Sequence, residues 1–264
     1  MTDPYSLSEP HPLTTRSAAE AGFALDSWAS VRVSGADAEI FLQGQLSADV
    51  AAVKPECAGW ASYNSPKGRM LAVIRVVRSA DAIDLRMPRS LVEPVARRLR
   101  MFVLRSKVSL VLPDPAETDE HADARDRAEL IEAGVPVVYP ETQDRWVAQM
   151  ANLDLIGGIS FTKGCYTGQE VVARLHYLGN LKKRLFRVSG KGAVPAPGTA
   201  IRDSAGDGQA VGDIVDAVAD AAGFTASAVL QVAAAESSSL VLDRSGDAAL
   251  SRPQAYRYPD PVTP

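Results

Sequence analysis

Lys163-Gly164-Cys165-Tyr166-Thr167-Gly168-Gln169-Glu170 decides how this chain is read. Thr167, with Glu170 three residues on and apolar Val171-Val172 behind it, has the form of a capping box. The pattern predicts a helix beginning at Thr167, with Cys165 immediately ahead of it. Unpaired N–H groups and the partial positive charge at a helix start favour an anion. Lys163 lies two residues before the cysteine, and Arg174 falls on the same predicted helix. Such surroundings lower a thiol pKa and make the sulfur a better nucleophile or metal ligand. Cys165 and Lys163 are therefore the candidate catalytic residues. Gly164 and Gly168 allow close approach of a ligand or unusual backbone angles. Glu170 and Arg174 stand at i and i+4, the favourable order for a helical ion pair. Tyr166 reads either as core packing or as a stacking surface.

Upstream, Ala29 to Val33 alternates as a strand, and Gly35-Ala36-Asp37 opens a short helix carrying Ile40, Phe41 and Leu42. Leu71–Val77, Ala82–Met87 and Lys107–Leu112 read as further strands. Between the last two, Leu91, Val95, Leu99 and Phe102 share one helical face, with Arg97, Arg98 and Arg100 mostly off it as a solvated surface. Residues 113–127 are crowded with Asp, Glu, Ala and Pro and predict an exposed acidic loop. Downstream, closely spaced Pro and Gly residues mark turns from 195 to 212. The alanine-rich run Ala217–Ala235 favours helix by propensity alone. The proline-containing residues 253–264 read as a tail, and 1–20 as a flexible leader.

The 264 residues carry a net charge of −4 and only two cysteines, Cys57 and Cys165. Two distant cysteines make neither a disulfide framework nor a four-thiolate metal or cluster site, so no stably bound metal is expected. Cys57 lacks a charged helical context and reads as structural. His11, His121 and His176 show no metal-ligand spacing, and there is no phosphate-binding glycine loop and no Gly-x-Ser-x-Gly elbow. Direct nucleic-acid binding is disfavoured by the acidic charge. No stretch has membrane-span length, and a cytoplasmic setting is the simplest expectation.

From Gly157 through Glu170, then Ala173-Arg174 and Lys183-Arg184-Leu185, the sequence resembles the YgfZ family, folate-binding proteins of iron–sulfur assembly related to the glycine-cleavage T-protein, an aminomethyltransferase. Phe41–Val50, Asn64–Arg69 and Leu104–Val108 are similar to further motifs of that family. The resemblance implies an α+β fold: a T-protein-like folate-binding domain of antiparallel sheets with flanking helices over residues 21–184, then a small C-terminal β-barrel over 185–252. For Ala217–Ala235 the barrel implies strands, against propensity. It also implies a tetrahydrofolate ligand and iron–sulfur client or assembly proteins as partners, including enzymes that thiolate tRNA. Trp28 and Glu132 match family folate-binding positions. Tyr166, Gly168, Gln169 and Arg174 complete the candidate binding set. The chain departs from the T-protein at Ala72-Val73, near where the transferase places an aspartate. Neither residue ionises, which argues against aminomethyl transfer.

Overall fold

The structure is a computed structural model that describes residues 25–113, 120–206, 208–242 and 248–258. The expected leader and residues 259–264 lie outside these ranges.

The first sheet is antiparallel. Its strands are β1 (Trp28–Ser34), β2 (Ala58–Asn64), β3 (Met70–Arg78), β4 (Ala82–Pro88) and β5 (Ser109–Val111), in the order β2-β3-β4-β1-β5. Strands β1, β3, β4 and β5 fall within or around the stretches that the sequence predicts as strands. Strand β2 is buried along its whole length, and so shows no polar face to read. Helix α1 (Ala38–Gln43) buries Phe41 and Leu42 but leaves Ile40 exposed. Helix α2 (Arg89–Val103) buries the predicted stripe Leu91, Val95 and Leu99, whereas Phe102 at its end is partly exposed.

Successive side chains of a strand point to opposite faces, so register sorts them. Trp60 pairs with Arg75, Arg75 with Arg86, and Arg86 with Ser30. Trp28, Trp60, Ser62, Arg75 and Arg86 therefore share one face, and Asn64 follows at a β-bulge that shifts the register after Tyr63. Tyr63 points to the other, where Arg98 of α2 lies beside it; α2 covers that face.

The acidic stretch is not wholly a loop. Helix α3 spans Glu120–Ala133. The composition misleads because α3 is fastened by polar contacts instead of a broad apolar stripe. Asp126, fully buried, accepts hydrogen bonds at 2.8 Å from both the N–H and the hydroxyl of Ser27. Arg125 pairs with Asp26 at 2.6 Å.

The second sheet is also antiparallel. It contains β6 (Lys183–Gly190), β7 (Ala200–Asp203), β8 (Ala210–Asp220), β9 (Gly223–Gln231), β10 (Leu240–Leu242) and β11 (Gln254–Ala255), in the order β10-β7-β8-β9-β6-β11. Isolated bridges join residues 248–251 to both β10 and β6, through Val241↔Ala249 and Gly190↔Leu250. The alanine-rich run is thus strand over most of its length, with one 3-10 turn at Val232–Glu236. Ala217, Ala226 and Ala228 are fully buried beside Phe186 and Phe224, where small side chains make room for the rings. The hairpin is set by Asp220, whose carboxylate accepts from Ala222 N–H at 2.8 Å and from the Thr225 hydroxyl at 2.6 Å.

The expected tail is docked over residues 253–258. β11 pairs with β6, and the Tyr256 and Tyr258 hydroxyls donate to the carbonyls of Ile131 and Gly134 at 2.7 and 3.0 Å. The two sheets meet through α3, which packs on β8 and β9. Arg127 of α3 grips the buried Asp216 of β8 at 2.6 Å, and the Tyr139 hydroxyl donates to the same carboxylate at 2.9 Å. Burial opposes the charge on Arg127, yet the Asp216 carboxylate holds its pKa above the usual value. Arg184 of β6 pairs with Asp154 at 2.7 Å in a second buried link.

Candidate functional site

The buried face of the first sheet carries an unusual set of groups. Trp28 and Trp60 meet edge to face, with centroids 6.2 Å apart. The Arg75 guanidinium lies 5.0 Å from the Trp60 ring centre, a cation–π arrangement. Burial, and then the neighbouring Arg86, pull the Arg75 pKa down to about 10. A cation kept at such cost is an unusual group for a buried sheet face.

Further along the face, Ser62 reaches the octapeptide's surroundings. The Ser47 hydroxyl donates to Gly158 O at 2.5 Å and accepts from Ser62 N–H at 2.7 Å, while Ser160 N–H donates to Ser47 O at 2.9 Å. One buried serine therefore joins the 44–50, β2 and 157–160 segments. Lys163 brackets it: its ammonium donates to Leu46 O at 2.8 Å and Ala48 O at 2.7 Å. Burial lowers the Lys163 pKa to about 8, with Asp49 opposing the shift. The same ammonium lies 5.2 Å from the Tyr166 ring centre. Lys163 was expected to add charge at Cys165; its ammonium is instead committed to two carbonyls.

The capping box is not formed. Helix α4 runs Gln169–Leu178, two residues later than predicted, and its N-cap is Gly168 at φ 79°, with no side-chain cap bond. The Thr167–Glu170 pattern yields because the left-handed turn at Gly168 takes the start of the helix. Gln169 braces the entry: its side-chain oxygen accepts from Tyr166 N–H at 3.3 Å and its N–H donates to Tyr166 O at 3.1 Å. Cys165 thus stands four residues before α4, exposed to solvent. Glu170 and Arg174 form no ion pair, and Arg174 is exposed. Cys57 is half-buried against the main core.

Gly168 has a packing reason for being glycine. A Cβ there would come within 2.6 Å of Ser65 O and 2.7 Å of Gly68 Cα. The Asn64–Arg69 turn and the octapeptide are consequently pressed together. Tyr166 is buried, and burial pushes its phenol well above the usual range. Around this contact lie several buried polar atoms that make no hydrogen bond within the described residues: both amide atoms of Asn64, Trp146 Nε1, Gln149 Oε1 and the Tyr166 hydroxyl. Such atoms are costly unless something satisfies them.

Glu132 does not join this group. It sits on α3 with its side chain 68% exposed and is paired with Arg187 of β6 at 2.5 Å, so it is a surface ion pair and not a buried clamp. Trp60, Arg75, Ser47 and Asn64 were missed as site residues. Asn64 lay inside a quoted motif, and its strand position was the available signal. Among the described residues no group of three or more His, Cys, Asp or Glu has the form of a metal site, and no helix is long and apolar enough to cross a membrane.

The two-sheet architecture is that of the glycine-cleavage T-protein. The aminomethyltransferase T structure from Bartonella henselae superposes with a TM-score of 0.65 over 86% of this chain and 83% of its own, at 13% identity. Sequence comparison then gives the family. The tRNA-modifying protein YgfZ of Enterobacter sp. (strain 638) is 31% identical, with 66% of this chain and 73% of the relative covered. Its counterpart in Escherichia coli O157:H7 is 30% identical over 63% and 71%, and that of Hamiltonella defensa 29% over 67% and 72%. No protein-family model matches the chain. The chain belongs to the YgfZ family.

Proposed function

We propose that this protein binds a folate and assists assembly or repair of iron–sulfur clusters in client enzymes, tRNA-thiolating enzymes among them. On that reading it fills the tRNA-modifying role its relatives' names carry. The observation behind the folate half is the buried face carrying Trp28, Trp60 and Ser62, with the buried Asn64 amide just past it on β2. Its aromatic pair suits a flat pterin or benzoyl ring. The Asn64 amide offers a donor and an acceptor to an amino-pyrimidine edge. A bound tetrahydrofolate would supply a nitrogen able to carry a one-carbon unit. Cys165, exposed four residues before α4, would serve as a transient ligand for a cluster in transit or as a redox-active thiol. Glu132 has no part in the site.

The transferase alternative is disfavoured: Ala72 and Val73 are both fully buried and neither can act as a base.

Two measurements test the halves separately. Calorimetry with tetrahydrofolate is expected to show binding to the wild type and at least about tenfold weaker binding to Asn64→Ala, roughly one lost buried polar contact. Absence of heat with the wild type removes the folate half. In cells lacking the protein, Cys165→Ala is expected to leave a cluster-dependent tRNA thiolation unrestored; full rescue removes the cysteine half. Release of ammonia from an aminomethyl donor would restore the transferase reading.

A further inference from the structure

Helix α4 is poorly covered. Of its ten residues only Val172 is buried. Leu178 is 84% exposed, Tyr177 65% and Val171 39%. Single exposed apolar residues are ordinary, but these three share one short helix. At its C-terminal end they continue into a ring cluster. Phe161 stacks on His176 with centroids 3.7 Å apart and planes at 13°, and Tyr177 stands edge-on to both, at 6.4 and 4.7 Å. A stacked and braced group of rings is a preorganised surface that loses little freedom when it is covered.

The charge along this segment is one-sided. From residue 161 to 183 the only acid is Glu170, whereas Arg174 and Lys182 are exposed and Lys183 half-exposed. This cationic rim stands on a protein whose net charge is −4. Apolar anchors inside a basic rim match an apolar groove edged with carboxylates. An amphipathic helix laid into such a groove is a recurrent mode of protein recognition.

We infer that α4 is a docking helix: a partner protein with an acid-edged apolar groove seats on Tyr177, Leu178 and the Phe161–His176 stack, on the helix that follows the octapeptide. The inference rests on the reading above, since it names what meets the octapeptide. Nucleic acid fits less well, because Leu178, the most exposed large apolar residue of the helix, and Val171 offer it no stacking or hydrogen-bonding group.

The experiment places a photo-crosslinking residue at 178 in the full-length protein in cells, with position 40 as an exposed apolar control. The expected result is a discrete protein adduct from 178 and not from 40, lost when Arg174→Glu and Lys182→Glu are combined. Leu178→Asp, at an exposed position, should keep the wild-type melting temperature and lower tRNA thiolation severalfold. The inference is overturned by the absence of an adduct, by one indifferent to the charge reversals, by one digested by ribonuclease or by one of twice this chain's mass. Full rescue by Leu178→Asp overturns it as well. If Cys165→Ala rescues fully while the adduct persists, the cysteine role fails and the docking surface stands. If Cys165→Ala fails to rescue but no adduct forms, the reverse holds.

Discussion

Gly168 and Gly68 lie back to back, so close that a Cβ on Gly168 would sit 2.7 Å from the Gly68 Cα. Both adopt left-handed backbone, at φ 79° and 70°. This contact, more than any reactive group, explains two glycines in two distant motifs. It also separates the two glycines of the octapeptide, because a Cβ at Gly164 would meet nothing within 4 Å.

Gly168→Ala should therefore destabilise the protein by about 2–4 kcal/mol, combining left-handed strain with a backbone clash. Gly164→Ala should change stability by less than about 0.5 kcal/mol. Urea unfolding of the two variants checks this; equal costs would show that the glycine contact is not what holds the motif.

Lys163 gives a pH dependence of definite sign. Its folded pKa is lowered to about 8 from 10.5, so between those values the unfolded chain holds a proton that the folded chain has released. Stability then rises with pH across that window, with a slope of at most about 1.4 kcal/mol per pH unit, the limit for a single proton. Below pH 8 both states are protonated and this contribution is flat. Denaturation of wild type and Lys163→Met at pH 7.5, 9 and 10.3 should show the wild type gaining relative to the variant. Lys163→Met should also be less stable at pH 7.5, because the Leu46 and Ala48 carbonyls lose their donor.

Arg127 and Asp216 should behave as a coupled buried pair. Arg127→Ala leaves a carboxylate that is 1% exposed without its guanidinium, a change that costs about 3–5 kcal/mol. Adding Asp216→Leu should recover more than half of that loss. Tyr139→Phe should recover part of the remainder, since its hydroxyl otherwise loses its acceptor. Additive losses in this cycle, measured by thermal unfolding, would show that the pair is not coupled.

What the sequence revealed depended on how each segment is stabilised. Strands β1 and β4 and helix α2 bury apolar residues at the spacing of their own geometry, and β3 is a continuous apolar run; both patterns are visible. Strand β2 is buried on both faces, so alternation vanishes. Helix α3 is held by Asp126, Arg125 and Arg127, so charge that reads as solvation is in fact attachment. The alanines of β8 and β9 are small to admit Phe186 and Phe224, a requirement set by partners distant in sequence. Within the site, Lys163 and Tyr166 were found but their geometry was not. The lysine was assigned to the cysteine and turned out to serve the backbone around Ser47. Asn64 stood in a recognised motif, yet its unmet amide emerges only once the turn is seen packed against Gly168.

The clasp of α3 across both sheets has a consequence for how the chain is handled as a unit of inheritance. Leu185, Val215 and Val229 of the second sheet belong to the same apolar cluster as the first sheet's interior, and Tyr256 and Tyr258 return from the chain's far end to fasten α3. A gene cut near residue 184 would divide a shared interior and not a linker. Either fragment would carry an open seam, and the intact protein should melt in one step.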